Sequence, residues 1–173
     1  SMSTLKVSTI SPLGTDATKT ITLGESGGTL GIASGAKTSG FGKIGQVVTA
    51  TGNSQSATTS SSFSDVPNLS VSITPTSTSS KIYIVVTDVA EVASSGEAAF
   101  TIARDGTNLA GNSGMSYVTG SSLQIPIAMS VLDSPSKNSA TVYTAQFRVI
   151  AGGSINSQTN GVKASITAME ILD

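Results

Sequence analysis

Between Leu123 and Asp133 the chain reads LQIPIAMSVLD. Leu123, Ile125, Ile127, Met129 and Val131 alternate there without a break. A period of two fits a strand with one buried face, and it cannot be satisfied by a helix. Pro126 falls on the opposite parity and carries no N–H, which predicts an edge strand or a bulge. The same period recurs along the chain. LSVSIT puts Leu69, Val71 and Ile73 on one face. KIYIVVTDV puts Ile82, Ile84 and Val86 on one face and Tyr83, Val85 and Val89 on the other, which predicts a central strand. AAFTIARDG offers Phe100 and Ile102 and then an Asp105-Gly106 turn. TVYTAQFRV aligns Tyr143, Ala145, Phe147 and Val149. KASITAMEIL sets Ile166 against Met169 and Ile171, and KIGQVVTAT and TSSSFSDV add one or two more. No i, i+3, i+4, i+7 pattern is sustained anywhere. Roughly eight short strands with turn signals between them predict an all-β fold, a jelly-roll-like antiparallel β-sandwich spanning 43–173.

Residues 1–42 read differently. Leu5/Val7, Ile21/Leu23 and Leu30/Ile32 have strand spacing, but each pair is alone among Gly-rich turns. A two-residue apolar face makes no core by itself. The segment is therefore a tail, a strap on the sandwich, or a strand that pairs with the same segment of other chains. The last option gives a short β stem intertwined in a trimer, in which Leu5, Val7, Ile21, Leu23, Leu30 and Ile32 form a shared axial core. Ser1 before Met2 has the form of a cloning remnant, so Met2 is the expected natural start.

Composition narrows the function classes. Net charge is -1 and only 11% of residues are charged, so the basic stripe of a nucleic-acid binder is absent. No basic amphipathic helix or long apolar run suggests membrane insertion. The chain has no Cys, no His and no Trp, which removes thiol nucleophiles, His general bases, disulfides and most zinc sites. Ser and Thr make up about a third of it, well above ordinary usage. The hydrophobic fraction of 38% and the low net charge nevertheless argue against disorder. Aromatics are only 4%, so the core is light and some apolar surface is expected to be covered by other subunits.

Each candidate for chemistry has a plainer reading. A Ser–Lys nucleophile would use Lys81 after STSS or Lys137 in SPSKNS, yet both read as solvated turn residues. Paired carboxylates for glycoside hydrolysis would come from Asp88 and Glu91, with Glu97 nearby, and these read as a solvated hairpin rim. A cation site at Arg104-Asp105-Gly106-Thr107-Asn108 has too few oxygen ligands and an adjacent guanidinium. A Lys–Asn crosslink needs a buried acid beside the pair, which sequence does not place. The Ser/Thr runs lack the strict short repeat of a flat hydroxyl array and suit outward strand faces and turns. No catalytic residue, cofactor or metal is expected.

GTDATKTITLGESGGTLGIASG followed by GFGKIGQVV resembles a module of structural proteins from marine tailed bacteriophages, in which TITLG-SGDT-IPSG units lead into GTGFGKI-QVV. LSVSITPTSTSSKIYI, LDSPSKNSATVYTAQFRV and the closing ITAMEI fit the same pattern, so the resemblance runs from about Leu5 to Ile171. This chain has SGGTLGIASG where the module often carries SGDT-T-P, so detailed stem geometry does not carry over. The resemblance implies a non-enzymatic virion protein of the tail-fibre or tail-spike type, made in the bacterial cytoplasm. It implies a homotrimer joined to other virion proteins through its N-terminus, with a head that contacts a host-surface glycan or protein. Candidate contact loops are Thr107–Thr119, with Asn108, Asn112 and Tyr117, and Ala151–Gly161. The alternatives are a capsid decoration or tail-assembly protein, and a glycan-cleaving tail spike.

Overall fold

The computed structural model describes residues 43–92 and 95–172. The proposed stem residues Leu5, Val7, Ile21, Leu23, Leu30 and Ile32 lie outside that range.

The period-two runs form seven strands, TSSSFSDV and LSVSIT merging into one, and four short strands form where none was expected, three of them inside the 107–119 and 151–161 segments read as loops. In chain order the strands are β1 (Ile44–Gly52), β2 (Ser56–Thr58), β3 (Ser64–Ile73), β4 (Lys81–Val92), β5 (Gly96–Arg104), β6 (Thr107–Asn108), β7 (Ser116–Gly120), β8 (Leu123–Asp133), β9 (Thr141–Ala151), β10 (Ile155–Ser157) and β11 (Ala164–Ile171). Among the described residues the only helical element is a 3-10 turn, Thr159–Gly161.

All pairings are antiparallel, and their order is that of one long hairpin rolled up. β1 pairs with β11, β2 with β10, β3 with β9, β4 with β8 and β5 with β7. The roll closes into two sheets. Sheet A runs β1-β11-β4-β8, with β10 and β2 extending it at one end. Sheet B runs β3-β9-β5, with β6 and β7 sharing the far side of β5. This is the jelly-roll arrangement. β4 is central, as its two apolar faces require. β8 is an edge strand with unbroken register, so Pro126 costs no ladder bond.

The core lies between the sheets. Ile82, Ile84 and Val86 of β4 and Ile166 of β11 meet Phe100 and Ile102 of β5 and Tyr143 and Phe147 of β9, all buried. Phe100 and Phe147 supply its one aromatic pair among the described residues, with centroids 6.0 Å apart.

Strand directions define two ends. At one end lie Lys43, the 74–80 and 134–140 loops, the Asp105-Gly106 turn and Leu172, whose N–H donates to the Lys43 carbonyl at 2.6 Å. At the far end lie the 53–63 segment, the 121–122 turn and the 152–163 loop. Asp105 (φ 47) and Gly106 (φ 81) both take the left-handed conformation, as a two-residue hairpin turn between twisted strands demands.

Candidate functional site

The far end is built on two buried polar side chains. Asp88 sits on β4 and, unlike its neighbours Tyr83 to Val89 on odd positions, points between the sheets, where it is 5% exposed. Its Oδ2 accepts from Ser157 Oγ at 2.5 Å, and its Oδ1 accepts from the N–H of Gln158 at 3.0 Å and of Val89 at 2.7 Å. Burial raises the Asp88 pKa above the ordinary carboxylate value, and the three donors offset only part of that. Asp88 was expected on a solvated rim beside Glu91. The odd spacing of three instead places the two carboxylates on opposite faces of β4, so they do not converge.

Gln158 is the second anchor. It is fully buried and left-handed (φ 55, ψ 40). Its Oε1 accepts from Ser54 N at 2.9 Å and its Nε2 donates to the Pro67 carbonyl at 2.9 Å. One side chain thereby ties the 152–163 loop to the 53–55 turn and to β3. Gly52 makes room for it, since a Cβ there would lie 2.6 Å from Gln158 Oε1. Asn160 is also left-handed (φ 56), and its N–H donates to Gln55 Oε1 at 3.0 Å. Non-glycine residues in this conformation are uncommon and persist where the surroundings over-determine them.

Beside these contacts lies a shallow, open polar cleft lined by Thr51, Gly52, Asn53, Gly161 and Lys163. Asn53, Asn160 and Lys163 are exposed on or beside it. Lys163 forms no ion pair among the described residues. The cleft offers amide and ammonium hydrogen-bond donors on a backbone frame fixed from below. Beneath it the buried Thr159 Oγ1 has no hydrogen-bond partner among the described residues.

Of the Thr107–Thr119 candidates, Asn108 has its side chain engaged internally, whereas Asn112 contributes only its main-chain carbonyl and keeps its side chain exposed. Asn108 Oδ1 accepts from Thr101 Oγ1 (2.7 Å) and Ala110 N (2.8 Å), while its Nδ2 donates to the Gly111 carbonyl at 2.7 Å. The Asn112 carbonyl accepts from Arg148 Nη2. Arg148 also donates to the Ser61 carbonyl at 3.1 Å and stacks on Phe63. It thus straps the 109–115 loop over the outer face of sheet B, where Ala99, Thr101 and Ala103 are fully buried. Tyr117 projects, 50% exposed, and its hydroxyl donates to the Glu97 carboxylate. That hydrogen bond raises the Tyr117 pKa.

The remaining sequence candidates are structural ions. Lys137 Nζ meets Asp105 Oδ2 at 2.6 Å, and Val142 N donates to Asp105 Oδ1 at 2.9 Å. The Lys137 contact is the main cause that lowers the Asp105 pKa. Arg104 Nη1 reaches both oxygens of Asp133 at 2.9 Å. Lys81 is exposed at the Lys43 end. No group of three or more His, Cys, Asp or Glu able to hold a metal occurs among the described residues. Sequence reading did select Ala151–Gly161, from its Asn, Ser and Gly content. It missed Thr51, Gly52, Asn53 and Lys163, because only the rolled hairpin brings the first and last strands side by side. No family model matches this chain, and the search of curated proteins returned no match either.

Proposed function

We propose that this chain is a non-enzymatic virion protein, the head of a trimeric phage tail fibre that attaches the particle to a host surface. One observation carries the reading. The cleft of Thr51, Asn53, Gly161 and Lys163 lies at the end opposite Lys43, where the sandwich joins the preceding chain. A module tethered at one end and carrying an organised polar cleft at the other suits attachment. The resemblance to marine phage structural proteins points the same way, and jelly rolls recur in viral and lectin domains. Three weak sites per trimer, repeated over several fibres, supply avidity without a tight single site.

The test is binding of the purified full chain to a panel of marine bacterial isolates. The double variant Asn53→Ala, Lys163→Ala alters only exposed side chains and is expected to lower binding at least tenfold. Binding that survives this change, or labelling of phage capsids with no labelling of any cell, overturns the reading; the second outcome favours a capsid decoration. Release of reducing sugar from host polysaccharide favours a glycan-cleaving spike instead.

A further inference from the structure

Asn160-Gly161 is the one Asn-Gly pair in the chain. In a flexible chain such a pair is chemically unstable, because glycine has no Cβ to shield its nitrogen or restrict its approach. The Gly161 nitrogen attacks Cγ of Asn160. A C–N bond forms, the Cγ–Nδ2 bond breaks, and ammonia leaves with the proton of the Gly161 N–H. Water then opens the five-membered imide at either carbonyl. One opening leaves an aspartate at position 160, and the other leaves an isoaspartate, with the main chain running through Cγ. The reaction needs no partner but water.

Ring closure has a strict geometry. The Gly161 nitrogen must lie nearly eclipsed with Cβ across the Cα–C bond. Asn160 has φ 56 and ψ 25. For an L residue that ψ turns the Gly161 nitrogen almost opposite Cβ, out of reach of Cγ. Two hydrogen bonds hold the turn there. Gly161 N donates to the Gln158 carbonyl at 3.1 Å, which also engages the proton that the attack must release. Asn160 N donates to Gln55 Oε1 at 3.0 Å. Gln158 is itself fully buried, with its side chain fixed by Ser54 N and the Pro67 carbonyl. The Asn160 side chain is exposed and makes no hydrogen bond among the described residues, so the backbone alone keeps it from reacting.

We infer that Asn160 is a modification site that the turn built on Gln158 keeps closed. Opening of the 152–163 loop, and not exposure of the side chain, sets the rate at which Asn160 converts. The product carries a new carboxylate beside the cleft, on the same short loop as Lys163, whose ammonium forms no ion pair among the described residues of the unmodified chain.

Trypsin cuts after Arg148 and Lys163, so one peptide, Val149–Lys163, reports Asn156 and Asn160 separately by mass and fragmentation. The full chain is held in mildly alkaline buffer, either native or unfolded in guanidinium chloride. The unfolded chain is expected to convert at Asn160 at least tenfold faster than the native one, a factor that about 1.4 kcal/mol of local opening already supplies. Gln55→Ala trims only an exposed side chain. It is expected to keep the native circular dichroism and to convert about threefold faster than the wild type, as the loss of one hydrogen bond implies. Gln158→Ala is expected to convert faster still. Equal rates in the native and unfolded wild type, or Gln55→Ala and Gln158→Ala both at the wild-type rate, overturn the closed turn. Faster conversion at Asn156 than at Asn160 in the unfolded chain overturns the assignment of the site.

Discussion

Gly52 and Gln158 contend for one space, and a double-mutant cycle measures the conflict. Gln158→Ala removes two amide hydrogen bonds, to Ser54 N and the Pro67 carbonyl. Each nets about 0.5–1.5 kcal/mol. Loss of buried methylenes adds about 1 kcal/mol. The single variant should therefore cost about 2–4 kcal/mol. Gly52→Ala drives a methyl to 2.6 Å from Oε1 and 3.0 Å from both Cδ and Nε2. The tip of a glutamine ordinarily yields to such an intrusion, but this one is buried and held at both ends, so about 1–3 kcal/mol of overpacking is expected. In the double variant the new methyl enters the space the amide vacated. Its stability should equal that of Gln158→Ala within about 0.5 kcal/mol, instead of falling by the sum. Urea unfolding of all four proteins gives the coupling, and thermal unfolding should show about 4 °C per kcal/mol for a domain of this size. Additivity within about 0.5 kcal/mol would refute the shared-space account.

The two buried carboxylates should pull the pH profile in opposite directions. Burial pushes the Glu170 carboxyl up, but donors from Gln46 Nε2, Thr76 N and Thr76 Oγ1 outweigh it and hold the pKa below 4.5. Its contribution is present above pH 4.5 and is lost as pH falls through the lowered folded value, so the gap between the wild type and Glu170→Gln should close on acidification. Asp88 has the opposite sign: its contribution is full below pH 3.8 and is lost as pH rises through the raised folded value, so Asp88→Asn should gain on the wild type toward neutrality. Urea unfolding at several pH values reads both. At the Lys43 end, Asp133→Ala should cost about 2–4 kcal/mol, because the fully buried Tyr143 hydroxyl, which donates to Asp133 Oδ2 at 2.6 Å, loses its acceptor and Arg104 its partner. A loss under about 0.5 kcal/mol in thermal unfolding contradicts that role.

The strands were legible because burial leaves a local mark. Leu123 to Val131, Ile82 to Val86 and Tyr143 to Val149 each carry their inward face in the residue alternation, and Pro126 marked an edge. The jelly-roll type followed from strand number and spacing. The site was less legible, because its pieces are joined by topology. Thr51 and Lys163 lie at the two ends of the described chain and meet only when β1 pairs with β11. Asp88 looked like a rim carboxylate among neighbours such as Glu91. Its inward aim depends on Ser157 and Gln158, far along the chain, being brought against β4. Asn108 looked like a contact residue because loop asparagines so often are, and nothing local reveals that Thr101, Ala110 and Gly111 already engage its side chain.

The pairing of first strand with last also governs when the domain can form. Gln46 finds Glu170 across 124 positions, and among the described residues β1 hydrogen-bonds to no strand of its sheet but β11. Topology of this kind folds slowly, since the chain closes its longest loops before those contacts reward it. During synthesis β1 emerges early and waits, an unpaired edge, until β11 leaves the ribosome. A truncation that removes β11 should therefore leave sheet A without its second strand and the Asp88 and Gln158 platform without its frame, whatever the rest of the chain has built.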